Sequence, residues 1–148
     1  DLKKKGLIII EEDKVNLSFY KEVVNELKKQ DKFIIYFKLR PNNKINIKLI
    51  SFLKKNGINY YHKENVYKLF SKLNIKILLA LNSSLLVESS YYKIVPLMVS
   101  SNKLSLKELI TDKIVFHSKI KNLSKFLDNV GNLDKLLNMR KKKIWGKF

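Results

Sequence analysis

The stretch Ile75-Lys-Ile-Leu-Leu-Ala-Leu-Asn-Ser-Ser-Leu-Leu-Val-Glu-Ser-Ser-Tyr-Tyr-Lys-Ile-Val-Pro-Leu-Met-Val99 decides how the chain is read. An apolar run from Ile75 to Leu81 leads into a polar Asn82-Ser83-Ser84 turn, then a helical segment from Ser84 to Tyr92 and a second apolar run, Ile94 to Val99. Short apolar runs bounded by turn signals read as strands buried on both faces. Strand, helix and strand in succession form the unit of a parallel sheet. The turn after the first strand lies at its carboxyl end, where open α/β sheets bind ligands. Backbone N–H groups and hydroxyls at a helix start favour an anionic group such as a phosphate.

The same rhythm extends outward from this unit. Gly6 to Ile10, Phe33 to Leu39 and Ile58 to Tyr61 read as three earlier strands, and Asp112 to His117 as a sixth. Leu17 to Gln30 carries apolar residues at Leu17, Tyr20, Val23, Val24 and Leu27, a helical spacing. Asn46 to Lys55 repeats it, with Gly57 placed as a stop, and Asn65 to Leu73 is a short helix. Two more helices are expected near Leu123 to Val130 and Leu133 to Lys142, and Ser100 to Thr111 as an irregular loop. The expected fold class is α/β: a Rossmann-like, doubly wound, mostly parallel sheet of about six strands with helices on both faces.

Composition narrows the function classes. The 148 residues suit one domain with a real core. With no Cys, disulfides and thiolate metal sites are excluded. No apolar run approaches the roughly 20 residues of a membrane span, and no signal peptide is visible, so a cytoplasmic location is expected. The net charge of +18 invites a nucleic-acid reading, yet 29 of the 31 basic residues are Lys, with only Arg40 and Arg140 as Arg. Phosphate and base recognition leans on the bidentate Arg fork. The lysines are spread among 16 Ile and 15 Asn, a compositional bias expressed at solvated positions. Nucleic acid is therefore disfavoured as a partner. The cluster from Arg140 to Phe148, with Trp145, fits either a contact with an anionic membrane surface or a helix end packed on the domain.

Several constellations carry chemistry. Ser83 or Ser84 can cap a helix or help hold phosphate. Glu88 lies four residues after Ser84 on the same helix face, so it either faces solvent or accepts from ribose hydroxyls. Lys38 and Arg40, before Pro41, end the second strand on one face, as a charged strand exit or as partners of a phosphate. Glu11, Glu12 and Asp13 follow the first strand; acid–base pairing and divalent metal binding are possible uses, and a favourable helix N-terminus is the preferred one. His62 and His117 stand alone, so no metal site is expected. With four Gly, a glycine-rich dinucleotide fingerprint and a phosphate loop are excluded.

Three short blocks carry a family resemblance. Phe33-Ile-Ile-Tyr-Phe-Lys-Leu-Arg-Pro41, Asn82-Ser-Ser-Leu-Leu-Val-Glu88 and Tyr92-Lys-Ile-Val-Pro96 together resemble the C-terminal, donor-binding domain of GT-B-fold bacterial glycosyltransferases of the capsule and lipooligosaccharide type, including sialyltransferases. The resemblance spans about residues 6 to 130. It implies a nucleotide-sugar-binding domain over 1–148, forming the C-terminal half of a longer two-domain protein. It implies a CMP- or UDP-linked sugar donor, CMP-sialic acid among the candidates, and a glycan or lipid-linked acceptor, with no other cofactor. Peripheral seating on the inner face of the cytoplasmic membrane would suit that role. The resemblance assigns donor binding to Lys38, Asn82, Ser83, Ser84 and Glu88, and leaving-group stabilisation to Arg40. These relatives carry His before the Pro, whereas Arg40 stays charged and cannot donate a proton. A non-catalytic basic α/β module binding nucleic acid or an anionic membrane, and a nucleotide-sugar epimerase-like domain, are the alternatives.

Overall fold

Leu7, Ile8, Ile9 and Ile10 are all buried, and alternate members of this run belong to two separate hydrophobic clusters. A strand covered on both faces must be central, and this one is. A computed structural model describes residues 4–42, 44–100 and 115–130, together with Lys135 and Asn138. Its six strands are β1 (Lys5–Ile10), β2 (Phe33–Lys38), β3 (Asn59–Tyr61), β4 (Ile75–Ala80), β5 (Val95–Ser100) and β6 (Phe116–Lys119). They form one sheet in the order β3-β2-β1-β4-β5-β6, and every neighbouring pair is parallel. This is a Rossmann-like doubly wound arrangement.

The helices are α1 (Leu17–Leu27), α2 (Ile47–Lys55), α3 (Val66–Lys72), α4 (Leu85–Glu88) and α5 (Leu123–Asn129). Helices α1, α2 and α5 cover one face through Tyr20, Val24, Leu49, Leu53, Leu123 and Leu127, against Leu7, Ile9, Phe37, Ile77 and Leu79. Helices α3 and α4 cover the other through Leu69, Phe70 and Leu86, against Ile8, Ile10, Leu78 and Ala80. Each fully buried Leu or Ile contributes roughly 1.5–3 kcal/mol.

Local chemistry sets the boundaries. Asn16, Asn46 and Asn65 cap α1, α2 and α3, their side-chain oxygens accepting from Phe19, Leu49 and Tyr67 N–H. Gly57, at φ +68°, turns the chain after α2. Gln30 closes the step into β2: its amide donates to the Leu27 and Phe33 carbonyls and accepts from Phe33 N–H.

Two expectations need adjustment. The helix from Ser84 to Tyr92 is a single α-helical turn followed by a 3-10 segment, Ser89–Tyr92. Ser89 and Ser90 hydroxyls donate back to the Leu86 and Val87 carbonyls, a competition that tightens the turn. Strand β6 begins at Phe116, later than the expected Asp112. Residues 112–114, most of the loop expected over Ser100 to Thr111, most of the helix expected over Leu133 to Lys142, and the cluster Arg140 to Phe148 lie outside the described residues.

Two measurements check this packing. A Cβ on Gly6 would meet the Leu73 carbonyl oxygen and Ile75 Cδ1 at 2.9 Å, where β1 and β4 slip register. Gly6→Ala is expected to lower unfolding free energy by about 1–3 kcal/mol in urea. The second concerns His117, whose Nε2 lies 2.7 Å from Ser100 Oγ across β5 and β6. Burial, aided by Lys119, holds its imidazole below the ordinary value. The unfolded chain therefore protonates first as pH falls, and the stability present above about pH 6.5 is lost as pH drops through the folded-state value. Between about pH 8 and 5, His117→Asn should lose less stability than the wild type. Parallel pH profiles would contradict this role.

Candidate functional site

Successive strands are laid down outward from β1 to β3 on one side, and from β4 to β6 on the other. The loops leaving β1 and β4 therefore diverge, and a crevice opens at the carboxyl ends where the order reverses. A cleft of about 550 Å³ lies there. That is within the roughly 300–1,000 Å³ usual for small-molecule sites. Four strand exits line it, with Glu11 and Glu12 after β1, Lys38 to Pro41 at the end of β2 and beyond, Lys63 to Tyr67 running from the loop after β3 into α3, and Ser83 to Leu85 leading into α4.

Glu12 organises the floor. Its carboxylate accepts from Leu81 N–H at 2.5 Å and Asn82 N–H at 2.7 Å, bridging the exits of β1 and β4. Its own N–H donates to the Tyr20 hydroxyl oxygen at 2.8 Å. Tyr20 is buried edge-on against Phe37, and that burial pushes its phenol well above the usual range. Glu11 does the equivalent on the other side, accepting from Arg40 N–H at 2.8 Å. Both carboxylates therefore hold backbone amides of loops distant in sequence. Two of the amides in the turn after β4 already have a built-in anion.

The cations are arranged differently from the sequence expectation. Lys38 is 6% exposed, and its Nζ donates to the Leu39 and His62 carbonyls, tying the exits of β2 and β3 together. Burial lowers its pKa, opposed by the charges of Glu64 and Glu11. Arg40 lies beyond the end of β2 and is exposed, so strand alternation does not set its direction. Both residues line the cleft, as does exposed Lys63. Among the described residues, no carboxylate lies within ion-pair distance of Lys38, Arg40 or Lys63; the ion pair between described residues is Lys29 with Glu26. Glu11 and Glu12 direct their oxygens to backbone amides rather than to these cations.

The Asn82–Glu88 segment is divided. Ser83 and Ser84 line the cleft, and Ser83 Oγ accepts from Leu85 N–H at 3.2 Å. Asn82 meets Glu12 through its backbone. Glu88 is exposed and outside the cleft lining, but its carboxylate accepts from the hydroxyl of Tyr67, which does line it, at 3.0 Å. Tyr67, Lys63 and the bridging role of Glu12 are absent from the sequence reading. The position of Lys63, shortly after the third strand, is the signal that marks it; Tyr67 lies further on, in the first turn of α3. Among the described residues no group of three or more His, Cys, Asp or Glu side chains is placed to hold a metal ion. No described helix is long and apolar enough to cross a membrane.

Removing the Glu12 bridge tests its structural weight. Glu12→Ala strips the acceptor from the Leu81 and Asn82 amides and is expected to cost about 1–3 kcal/mol in urea unfolding. Hydrogen exchange at those two amides should accelerate alongside. Unchanged stability with unchanged exchange would show that the bridge does not hold the two strand exits together.

Comparison with protein-family models, with curated proteins and with solved structures finds no match to this chain.

Proposed function

We propose that the chain is a nucleotide-sugar-binding domain of the glycosyltransferase type, with the donor nucleotide in the cleft at the strand-order reversal. The observation that carries this reading is a cleft lined by Lys38, Arg40 and Lys63 together with Ser83 and Ser84, in which none of the three cations is ion-paired among the described residues. Such a set favours a phosphate-bearing ligand small enough for a crevice rather than a long polyanion. Because Glu12 already fills the Leu81 and Asn82 amides, the phosphate is assigned to the cationic side, with Ser83 and Ser84 as hydroxyl partners. Glu88 then acts through Tyr67, not directly on ribose.

In transfer, the bond between the sugar's anomeric carbon and the phosphate oxygen breaks while an acceptor hydroxyl forms the new glycosidic bond. The released phosphate carries extra negative charge, and the Arg40 guanidinium stabilises it without giving up a proton. The acceptor's proton must go to a base, which this reading assigns to an acceptor-binding partner domain. The sugar donor is CMP- or UDP-linked, and the acceptor a glycan or lipid-linked saccharide. A second reading, nucleotide binding without turnover, is favoured by one feature: Arg40 stands where a proton donor would be needed.

Isothermal titration with CMP, UDP and GDP at fixed salt tests the proposal. One nucleotide should bind in preference to the others, and Arg40→Ala should weaken it by roughly tenfold or more, the worth of a charge-assisted hydrogen bond. Equal, salt-sensitive binding of all three, with a short oligonucleotide bound more tightly, would assign the charge to nucleic acid instead.

A further inference from the structure

We infer that Tyr67 is the platform on which the base of the nucleotide stacks, an assignment that rests on the donor-site reading above. Tyr67 stands on the first turn of α3 and lines the cleft, yet remains 38% exposed. Its ring is not loose. Phe70 meets it edge-on at 5.8 Å, and Tyr92 lies against it at 5.3 Å with a 34° tilt. Phe70 and Tyr92 in turn pack at 5.4 Å, closing a three-ring cluster. At the far end of the ring, the hydroxyl donates to Glu88 at 3.0 Å, and that bond holds the phenol above its usual pKa, so the ring stays neutral. The backbone below is fixed as well, with Tyr67 N–H donating to the Asn65 side chain at 2.9 Å.

An aromatic ring held on several sides and left open towards a cleft loses little freedom when a planar ligand covers it. The remaining walls supply the complementary chemistry. Arg40 and Lys63 offer positive charge, and Ser83 and Ser84 offer hydroxyls. A ligand with a flat ring at one end and an anionic group at the other, joined by a polar linker, matches that sequence of surfaces. A nucleoside phosphate has this shape. Stacking on a π-face tolerates any base, so Tyr67 supplies affinity, while choice among bases must come from other groups. Glu88 and Tyr92 are positioning residues here, because each acts by holding the Tyr67 ring.

The test compares CMP and UMP with ribose 5-phosphate, which keeps the phosphate and sugar but lacks the base. Tyr67→Phe keeps the ring and should bind CMP within a few-fold of wild type. Tyr67→Leu keeps apolar contact with Phe70 and should lose roughly tenfold or more for CMP and UMP, as removal of a stacking aromatic does. Its binding of ribose 5-phosphate should stay unchanged. In the wild-type protein, nuclear Overhauser contacts should run from base protons to the Tyr67 ring, a measurement independent of how well any variant folds. Equal losses for CMP and ribose 5-phosphate, or base contacts to other residues, would overturn the stacking role while leaving the donor site standing. Failure of wild type to bind any of the three ligands would remove the donor-site reading and the platform together.

Discussion

The Glu12 carboxylate is the tie on which the cleft depends. Strands β1 and β4 are neighbours in the sheet but 70 residues apart in the chain, and their exits diverge where the strand order reverses. Nothing in the parallel ladder holds those exits at a fixed separation beyond the last paired residues. Glu12 does so by accepting from two successive amides after β4, while its own N–H is held by the buried Tyr20 hydroxyl oxygen. A carboxylate hydrogen-bonded to backbone amides is a strong, charge-assisted contact. The two strand exits are thereby tied at the base of the cleft.

Charge disposition follows from that tie. Glu11 and Glu12 lie beside Lys38 and Arg40 in the cleft but spend their carboxylates on backbone N–H groups. The acids keep their charge, but with their oxygens on amides the Arg40 guanidinium is left without an ion pair among the described residues, and its N–H groups can meet a phosphate. Lys38, tied to two carbonyls, holds the β2 and β3 exits together from the other side. The cleft is thus framed by acids, a buried lysine and backbone, and exposed Arg40, Lys63 and Tyr67 also line it.

The fold was largely readable because its strands are buried on both faces. Runs such as Leu7–Ile10 and Ile77–Ala80 have no polar face to confuse with a helix, and each is followed by a polar turn. Edges read less well. Strand β6, Phe116-His-Ser-Lys119, interleaves polar residues, so the apolar pull of Ile114 to Phe116 drew the expected strand early. The break between α4 and its 3-10 continuation turns on where the Ser89 and Ser90 hydroxyls donate, which spacing alone does not reveal. In the site, the residue types at the strand exits were legible, their partners were not. Glu11 and Glu12 looked like acids favouring a helix start because their true partners lie 29 and 70 residues away. The place of Tyr67 in the site is not legible in the sequence, because only the tertiary fold brings the segment after β3 beside the turn after β4.

The most direct measurement is a titration of the isotopically labelled protein with CMP, followed through backbone amide chemical shifts. Binding at the strand-order reversal predicts saturable changes concentrated in residues 10–12, 38–41, 63–67 and 83–85, with the amides of α1, α2 and α5 quiet. Changes spread over the lysine-rich surface, changes centred on the helices of the opposite face, or no change at saturating ligand would contradict a nucleotide site in this cleft.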